Sequence, residues 1–300
     1  MKRVKPASSS RFAVIALVTV AAVWGASFVL MKPAINEQPF WDFLATRFTI
    51  ATAIMIAVRP MALAQVSKSM LVRGAILGVF LGLAYVFQTI NLELTTAAIT
   101  GFLTGLYVVL TPIFARTLFK NRIRAQVWVG AFLALIGLAL ISITGFSFDL
   151  GHIWGILGAV FFAAHIVGLG RWSPGLDSYS LTIIQLATLT CVFWIGALQD
   201  GYQAPPNFDV WFAIVFTAVF ATAIGFFVQT WAQSKMDASR VAVILTLEVV
   251  FTAIMSVAVG QETLLLKTVI GGAIIVVAML VVEWPSRQKD PVAPIEPMVH

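Results

Sequence analysis

The sequence predicts an all-α, polytopic membrane protein, with ten transmembrane helices in two inverted five-helix repeats. The first observation is composition: of 300 residues, 60% are hydrophobic and only 11% are charged, and the mean hydropathy is +0.96. The second is the recurrence of apolar runs of about 20 residues, the length that crosses a bilayer. The third is a self-similarity of the chain at an offset of 141 residues.

The apolar runs are separated by short connections, which leave no room for a soluble domain. Helices are favoured over barrel strands, because the runs are about twice as long as a membrane strand requires and show no apolar and polar alternation. The first run is too long, and too closely followed by the second, for a cleaved signal peptide. The predicted spans are residues 12–31, 40–58, 72–91, 96–115, 125–144, 151–170, 179–198, 210–231, 240–259 and 265–284.

Basic residues are distributed unevenly between alternate connections. Two of them, Lys32 and Lys267, fall on one side and sixteen fall on the other. Since cytoplasmic loops carry the excess of Lys and Arg, both termini are predicted to lie in the cytoplasm and the protein in the cytoplasmic (inner) membrane. The net charge of +6 then reflects topology and lipid headgroups, with no indication of a nucleic-acid surface. The sixteen are Lys2, Arg3, Lys5, Arg11, Arg59, Lys68, Arg73, Arg116, Lys120, Arg122, Arg124, Arg171, Lys235, Arg240, Arg287 and Lys289.

The 141-residue offset divides the chain into two similar halves. Gln88 and Thr89 meet Gln229 and Thr230, and Gly130 and Pro33 meet Gly271 and Pro174. Five spans in each copy make the second copy enter the bilayer from the opposite side, as in secondary transporters with a substrate site at the repeat interface. The predicted segments are a cytoplasmic tail at 1–11, a first repeat at 12–145, a second repeat at 146–285 and a cytoplasmic tail at 286–300.

The same offset pairs polar and aromatic residues within the spans. Thr104, Tyr107 and Thr111 follow helical spacing, so the fourth span has a polar face unsuited to lipid. The aromatic members suit a substrate with an apolar or aromatic portion. The residues predicted to bind substrate are Trp24 with His165, Tyr85 with Phe226, Gln88 with Gln229, and Tyr107 with Glu248.

Glu248 is an acid placed deep within the ninth span. A charged carboxylate at the bilayer centre costs about 2.5–3.5 kcal/mol, so Glu248 is expected to face the bundle interior or a wet cavity. There it could exchange a proton as substrate passes, which makes it the candidate coupling residue. A hydrogen bond to a helix or to water, without a transport role, is the alternative.

Other intramembrane residues leave two interpretations open. Arg47 could bind a substrate carboxylate through its guanidinium fork, but a role in helix packing is favoured because long side chains also snorkel. His165 suits a cavity wall or a satisfied buried position equally, and Gln88 and Gln229 could simply bond between helices. Pro112 removes a backbone hydrogen bond and predicts a kink, hence a candidate gate, although membrane helices also tolerate proline.

No catalytic or metal-binding motif is present. Three dispersed histidines do not form a cluster, and nucleophile-elbow and P-loop motifs are absent, so no enzyme, metal or cofactor is predicted and ATP-driven transport by this chain alone is excluded. The single cysteine, Cys191, is predicted to be a buried structural thiol. Because one chain supplies both repeats, a monomer could form a complete pathway.

The sequence resembles the EamA-type branch of the drug/metabolite transporter superfamily over about residues 12–285. The resemblance is carried by Arg47, by WGASFVLMK from Trp24, by TTAAITGFLTGLYVV from Thr95, and by ASRVAVILTLEVVF with the later Gly260, Gln261 and Glu262. Two positions depart from the family pattern. Glu248 is followed by Val249 where a Glu-Pro pair is usual, so the helix break expected there is predicted to be absent. Lys120, Asn121 and Arg122 replace a Gly-Glu-Arg type ending.

The resemblance implies a secondary transporter that moves a small metabolite across the membrane by alternating access, most often as an exporter. The resemblance also implies that the substrates are often amino acids or related metabolites, and the aromatic candidates favour amino acids, including aromatic ones, over inorganic ions. Sugars, nucleosides and cationic drugs are the alternative substrates. An intramembrane enzyme or a non-transporting helical scaffold would be an alternative of a different class.

Overall fold

The computed structural model describes residues 7–142, 150–199 and 201–284, and within these ranges all regular structure is helical. Nine helices in this part of the chain are long and apolar enough to cross a membrane. A shorter apolar helix ends at Ser142, where the described range stops. The prediction of an all-α, multi-pass membrane protein is confirmed. The boundary at 145/146, residues 1–6 of the predicted N-terminal tail and the tail 286–300 lie outside the described residues.

Thirteen α-helices build the described bundle. A 3₁₀ turn, Pro60–Gln65, joins the second and third, and a π-helical segment, Thr217–Ile224, lies between the ninth and tenth. The α-helices are α1 (Ala7–Glu37), α2 (Phe40–Val58), α3 (Lys68–Leu94), α4 (Ala97–Gly105), α5 (Tyr107–Phe119), α6 (Ala125–Ser142), α7 (Leu150–Trp172), α8 (Ser178–Ala197), α9 (Phe208–Phe216), α10 (Gly225–Gln233), α11 (Ala238–Leu245), α12 (Leu247–Ala258) and α13 (Leu266–Glu283).

Helix α1 is longer than the predicted span 12–31 and runs through Pro33 to Glu37. Proline lacks the N–H that would bond to the carbonyl four residues earlier. That carbonyl, on Val29, instead accepts a hydrogen bond from Nε2 of Gln261 at 3.3 Å. Because the freed acceptor has a partner, the helix continues past the proline.

The fourth and ninth spans are each interrupted by a single residue. Leu106 separates α4 from α5, and Thr246 separates α11 from α12. Both residues keep right-handed helical angles, with φ and ψ of −58° and −19° at Leu106 and −62° and −13° at Thr246. The missing proline after Glu248 predicts an uninterrupted helix. This prediction is wrong, because α11 ends at Leu245 and α12 begins at Leu247. Thr246 Oγ1 donates to the Val243 carbonyl at 2.6 Å, and such local bonding competes with regular helix bonds.

Helix packing brings the two halves of the chain against each other. α1 packs on α10 and α12, α7 packs on α3 and α5, α2 lies along α8, and α6 lies along α13. Small residues permit the closest approaches. A Cβ added at Gly78 on α3 would lie 2.6 Å from Cβ of Thr188 on α8, so only glycine fits at this crossing.

Polar contacts tie the connections together at both ends of the bundle. At one end, Gln38 Nε2 donates to the Gln203 carbonyl at 2.8 Å, and the Gln203 N–H donates to Asp42 Oδ2 at 3.0 Å. At the other end, Arg59 pairs with Asp177 at 3.2 Å between the α2–α3 and α7–α8 connections. The two halves are therefore joined at both ends as well as in the core.

Cys191 is exposed, so the prediction of a buried thiol is wrong. Leu189 and Phe193, on the same helix α8, are fully buried. A helix turns by about 100° per residue, so a position between two inward-facing residues points outward. Cys191 lies on the outer face of the bundle.

Candidate functional site

A buried cavity lies at the centre of the bundle, where helices from both halves meet. All eight residues predicted to bind substrate line its wall. The offset relates these residues as four separate pairs, and the structure brings the four pairs together. Arg47, for which packing was favoured, lines it as well. The eight are Trp24, Tyr85, Gln88, Tyr107, His165, Phe226, Gln229 and Glu248.

Aromatic rings form a continuous series around the cavity. Trp24 contacts Phe226 with 5.4 Å between ring centroids, and Phe226 lies 6.0 Å from Tyr85. Phe162 continues the series, at 5.7 Å from Tyr85 and 6.4 Å from Tyr107. Sequence reasoning missed Phe162, since one phenylalanine among 23 carries no distinguishing signal. The series offers a mainly apolar surface to a bound molecule.

The π-helical segment Thr217–Ile224 is held by side chains from the first half. Trp24 Nε1 donates to the Ala221 carbonyl at 2.8 Å, and Arg47 Nε donates to Thr222 Oγ1 at 2.8 Å. Gly225 follows the segment, and a Cβ there would lie 2.8 Å from Trp24 Nε1. Short π-helical stretches are frequent at functional sites. Here the segment forms part of the support of the cavity wall.

Glu248 lies in the first turn of α12 and is 4% exposed. Its Oε1 is buried and has no hydrogen-bond partner among the described residues. The helix is held close to α1 at this level, because a Cβ at Gly25 would lie 2.8 Å from the Glu248 carbonyl oxygen. The carboxylate therefore belongs to the cavity wall, where the structure gives it an open acceptor.

Arg47 is 1% exposed and lies on α2. Its Nη1 contacts Met31 Sδ at 3.0 Å, and its guanidinium carbon lies 5.3 Å and 5.4 Å from the ring centroids of Phe48 and Tyr85. Within the described part of the chain no carboxylate lies within 4.0 Å of it. Its cationic head is thus buried among a thioether, a hydroxyl and aromatic faces, without a counter-charge in contact.

His165 and Gln185 form a buried pair. His165 Nε2 lies 2.8 Å from Gln185 Oε1, while Gln185 Nε2 donates to the Leu181 carbonyl at 3.2 Å. Since the glutamine oxygen must accept, the hydrogen-bond network assigns the imidazole N–H to Nε2. His165 Nδ1 is then an acceptor, and it has no partner among the described residues.

The paired glutamines have different local partners. Gln88 Nε2 donates to Thr104 Oγ1 at 3.0 Å, which links α3 to α4. Gln229 Nε2 donates to Gln233 Oε1 at 3.1 Å within α10, and Gln229 Oε1 has no partner in the described structure. Interhelical bonding thus accounts for Gln88 more fully than for Gln229.

Pro112, the candidate gate, lies inside α5, which continues to Phe119. It is buried but does not line the cavity. The interruption of the fourth span lies instead at Leu106, next to Tyr107 on the cavity wall. A gating role for Pro112 stays a prediction.

The cavity has a volume of about 40 Å³. A buried water needs roughly 10–15 Å³ of such volume, so there is space for a few waters and no space for a metabolite. Sites for small organic ligands usually have about 300–1,000 Å³. A substrate could enter only after the surrounding side chains or helices move apart. Among the described residues, no group of His, Cys, Asp and Glu side chains is arranged to hold a metal ion.

Fold and site together define a multi-pass helical membrane protein with a central cavity lined by both an arginine and a glutamate. The model of the EamA-like transporter family matches residues 11–143 and again residues 149–284. The chain therefore belongs to the EamA-like transporter family. The family and the names of related proteins indicate a transporter rather than an enzyme.

Related proteins cover most of the chain. An uncharacterized transporter of Archaeoglobus fulgidus is 32% identical over 90% of this chain and 85% of its own length. A biotin transporter of Escherichia coli (strain K12) is 25% identical over 87% of this chain and 83% of its own length. A pseudopaline exporter of Pseudomonas aeruginosa is 26% identical over 87% and 90%, respectively.

A solved crystal structure illustrates the likeness of fold. It superimposes with a TM-score of 0.75 and covers 90% of this chain and 96% of the other chain. Sequence identity is 20%, so this likeness concerns the fold alone.

Proposed function

We propose that the protein is a secondary transporter that exports amino acids, including aromatic ones, or related metabolites across the cytoplasmic membrane by alternating access. The observation that carries this proposal is the convergence of all four offset-related residue pairs on one buried cavity. A cavity lined by residues of both halves corresponds to the place where transporters of repeat architecture bind substrate. One chain supplies both copies, so the proposed functional unit is a monomer.

The packing of the helices supports two inverted repeats. The 141-residue offset relates each helix of one half to a helix of the other. It relates α3 to α9 and α10, α1 to α7, and α4 and α5 to α11 and α12. The contact of α3 with α7 then becomes that of α9 and α10 with α1, and the contact of α1 with α12 becomes that of α7 with α5. Both members of each pair are present in the bundle. A pseudo-two-fold relation between the copies accounts for this pattern.

The positions of the helix ends and of the basic residues support cytoplasmic termini. Arg240 on α11 pairs with Glu283 at the end of α13, and Phe12 near the start of α1 contacts Trp231 at the end of α10. The first and last helices therefore have their outer ends on the same face of the bundle. That face also carries Arg59 and most other described basic residues, as expected of a cytoplasmic surface.

Substrate class follows from the cavity wall. Its aromatic series suits an apolar or aromatic portion, and its charged residues suit a molecule with ionised groups. The relatives named as a biotin transporter and a pseudopaline exporter indicate that related chains move organic molecules. Sugars and nucleosides fit less well because they present no ionised group to either charge. Cationic drugs would leave Arg47 without a partner.

Counterflow in proteoliposomes tests the proposal. Vesicles that contain the purified protein and unlabelled amino acid should accumulate the same labelled amino acid, whereas protein-free vesicles should not. Parallel assays with labelled sugars and nucleosides test the alternative substrates. Accumulation of a sugar or nucleoside but of no amino acid would contradict the proposed substrate. Conversion of the label without movement between compartments would indicate an enzyme.

Glu248→Gln tests the coupling role. If Glu248 exchanges a proton during transport, an imposed pH gradient should stimulate accumulation by the wild type, whereas the residual transport of this variant should be the same with and without the gradient. Glu262→Gln, which changes a carboxylate in the α12–α13 connection, is the matched control and should behave like the wild type. An unchanged response of Glu248→Gln to the gradient would remove the proton role.

A further inference from the structure

Two buried residues of opposite charge face the same cavity from different halves of the chain. Arg47 comes from α2, and Glu248 comes from α12. Arg47 has no carboxylate within 4.0 Å in the described structure, and Glu248 Oε1 has no hydrogen-bond partner there. Charges buried at membrane depth are costly unless they are paired or hydrogen-bonded. Among the described residues, Arg47 has a hydroxyl and a thioether as hydrogen-bond partners but no carboxylate, and Glu248 Oε1 has no donor.

Tyr85 lies beside Arg47 on the cavity wall. The guanidinium carbon of Arg47 lies 5.4 Å from its ring centroid, and Glu248 lines the same cavity. Phe226 lies 6.0 Å from Tyr85 and continues the aromatic wall toward Trp24. A cation, an anion and an apolar surface therefore border one small volume.

We propose that Arg47 binds the substrate carboxylate and that Glu248 binds the substrate ammonium group, so that the cavity selects zwitterionic α-amino acids with an apolar or aromatic side chain. The inference rests on the proposed function and adds the recognition of the two ionised groups. A guanidinium offers two parallel N–H donors to a carboxylate. The aromatic series receives the side chain, and the Tyr107 hydroxyl and His165 Nδ1, which have no partner among the described residues, remain for further polar contacts.

The experiment uses three ligands that differ in one charge each. L-Phenylalanine carries both groups, phenethylamine lacks the carboxylate, and 3-phenylpropionate lacks the ammonium group. Each is tested as a competitor of labelled phenylalanine counterflow and, labelled, as a substrate. For the wild type, both truncated compounds should compete at least about 100-fold more weakly than phenylalanine, because a site built for a polar group rejects a ligand that lacks it. Competition by either compound as strongly as by phenylalanine would overturn the proposal.

The variants should exchange these preferences reciprocally. In Arg47→Gln, phenylalanine should lose its advantage over phenethylamine to within about 10-fold but keep its advantage over 3-phenylpropionate. In Glu248→Gln, phenylalanine should lose its advantage over 3-phenylpropionate to within about 10-fold but keep its advantage over phenethylamine. Arg47→Lys should retain the preference for a carboxylate with about 10-fold weaker competition, because lysine keeps the charge without the fork. Wild-type selectivity in Arg47→Gln would overturn the role of Arg47.

Thr222→Val separates recognition from packing. This variant removes the hydroxyl that accepts from Arg47 Nε but leaves the cation in place. The preference for zwitterions should survive in Thr222→Val. If Thr222→Val relaxes selectivity in the same way as Arg47→Gln, Arg47 acts through helix packing and the proposal fails.

A binding measurement on the wild-type protein tests the proposal even if the variants do not fold. A ligand that binds only the native state raises the unfolding temperature. Phenylalanine should protect the purified wild type, and neither truncated compound should do so at the same concentration. Equal protection by phenethylamine would overturn the role of Arg47 without any variant. Absence of counterflow for every amino acid, with selective protection by phenylalanine, would contradict the proposed transport function and leave zwitterion recognition supported.

Discussion

The fourth and ninth spans share a backbone design but differ in chemistry. Each consists of two helices separated by one residue, Leu106 or Thr246, with nearly the same backbone angles. The next residues on the cavity wall are Tyr107 in the first half and Glu248 in the second. The two spans therefore share a backbone interruption, but only the ninth places a carboxyl group at this point of the cavity wall. Two similar halves can thus present different chemical groups to one substrate.

The third and eighth spans differ in the opposite way. They place similar side chains on the cavity, Tyr85 and Gln88 from α3, and Phe226 and Gln229 from α10. Their backbones differ, because α3 is a continuous α-helix and the eighth span contains the π-helical segment. The asymmetry between the halves therefore lies in side-chain charge in one pair of spans and in helix geometry in the other.

The largest expected effect comes from the contact of α1 with α12. In Gly25→Ala, the new Cβ would lie 2.7 Å from Cβ of Phe251 and from the backbone nitrogen of Thr252, so the helices must separate. Such overpacking costs about 1–3 kcal/mol, and we expect loss of counterflow together with a lower unfolding temperature. The position related by the offset is Ile166, which already carries a large side chain. Close approach is thus specific to one half.

Gly101→Ala is the matched control for that change. Gly101 lies on α4, and its added Cβ would lie 3.6 Å from Val249 on α12, the helix that also packs against Gly25; this is an ordinary contact distance. We expect flux and unfolding temperature close to the wild type. An equal loss in both variants would show that the effect does not depend on the narrow crossing at Gly25.

The comparison of Tyr107 with Glu248 is tested by removal of one polar group at a time. Tyr107→Phe deletes a buried hydroxyl that has no partner in the described structure, so it should reduce counterflow by less than about 10-fold. Glu248→Gln deletes a charge at the related position and should reduce phenylalanine counterflow by at least about 100-fold. Equal losses would indicate that the two halves contribute equivalent groups after all.

The π-helical segment can be tested through its contact with Trp24. Trp24→Phe keeps an aromatic ring but removes the hydrogen bond to the Ala221 carbonyl, which should cost about 1 kcal/mol of unfolding free energy. Amide hydrogen exchange within Thr217–Ile224 should accelerate at the same time. Trp211→Phe, on the same span but 42% exposed, is the control and should change neither quantity. Unchanged exchange in Trp24→Phe would show that the segment does not depend on this bond.

The smallest effect is expected at the start of α8. Asp177 accepts from the Ser180 N–H at 2.9 Å, whereas the related helix α2 begins after Pro39 without a side-chain cap. Burial tends to raise the pKa of the Asp177 carboxyl, but hydrogen bonds from Ser180 and the nearby Arg59 outweigh it and hold the pKa below its ordinary value. The ionised form therefore stabilises the fold at neutral pH, and this contribution is lost as pH falls below about 4.

Thermal unfolding as a function of pH checks this assignment. Asp177→Asn keeps an oxygen for the cap and removes the charge, so it should be less stable than the wild type by at most about 1 kcal/mol at pH 7. The difference should disappear toward pH 3. Arg59→Gln should also be less stable than the wild type at pH 7, and this difference should likewise disappear toward pH 3. A difference between Asp177→Asn and the wild type that persists at low pH would contradict the role of the charge.

The convergence of the site was accessible from the sequence because a repeated segment brings related positions together. Trp24 and Glu248 were found as members of offset pairs, and the structure places both on the cavity. Other features left weaker signals. The interruption at Thr246 depends on a local hydroxyl bond instead of a proline, and the π-helical segment follows a run of ordinary apolar residues. Arg47 had the right depth, but composition does not decide which face of a helix meets the cavity.

The position of Cys191 has a practical consequence for the study of motion. It is the only cysteine in the sequence, and it lies on the outer face of α8, away from the cavity. A spectroscopic probe can therefore be attached to the natural chain without prior removal of other thiols. With a second probe introduced on α13, distances between the labels would report how far the bundle must expand to admit its cargo.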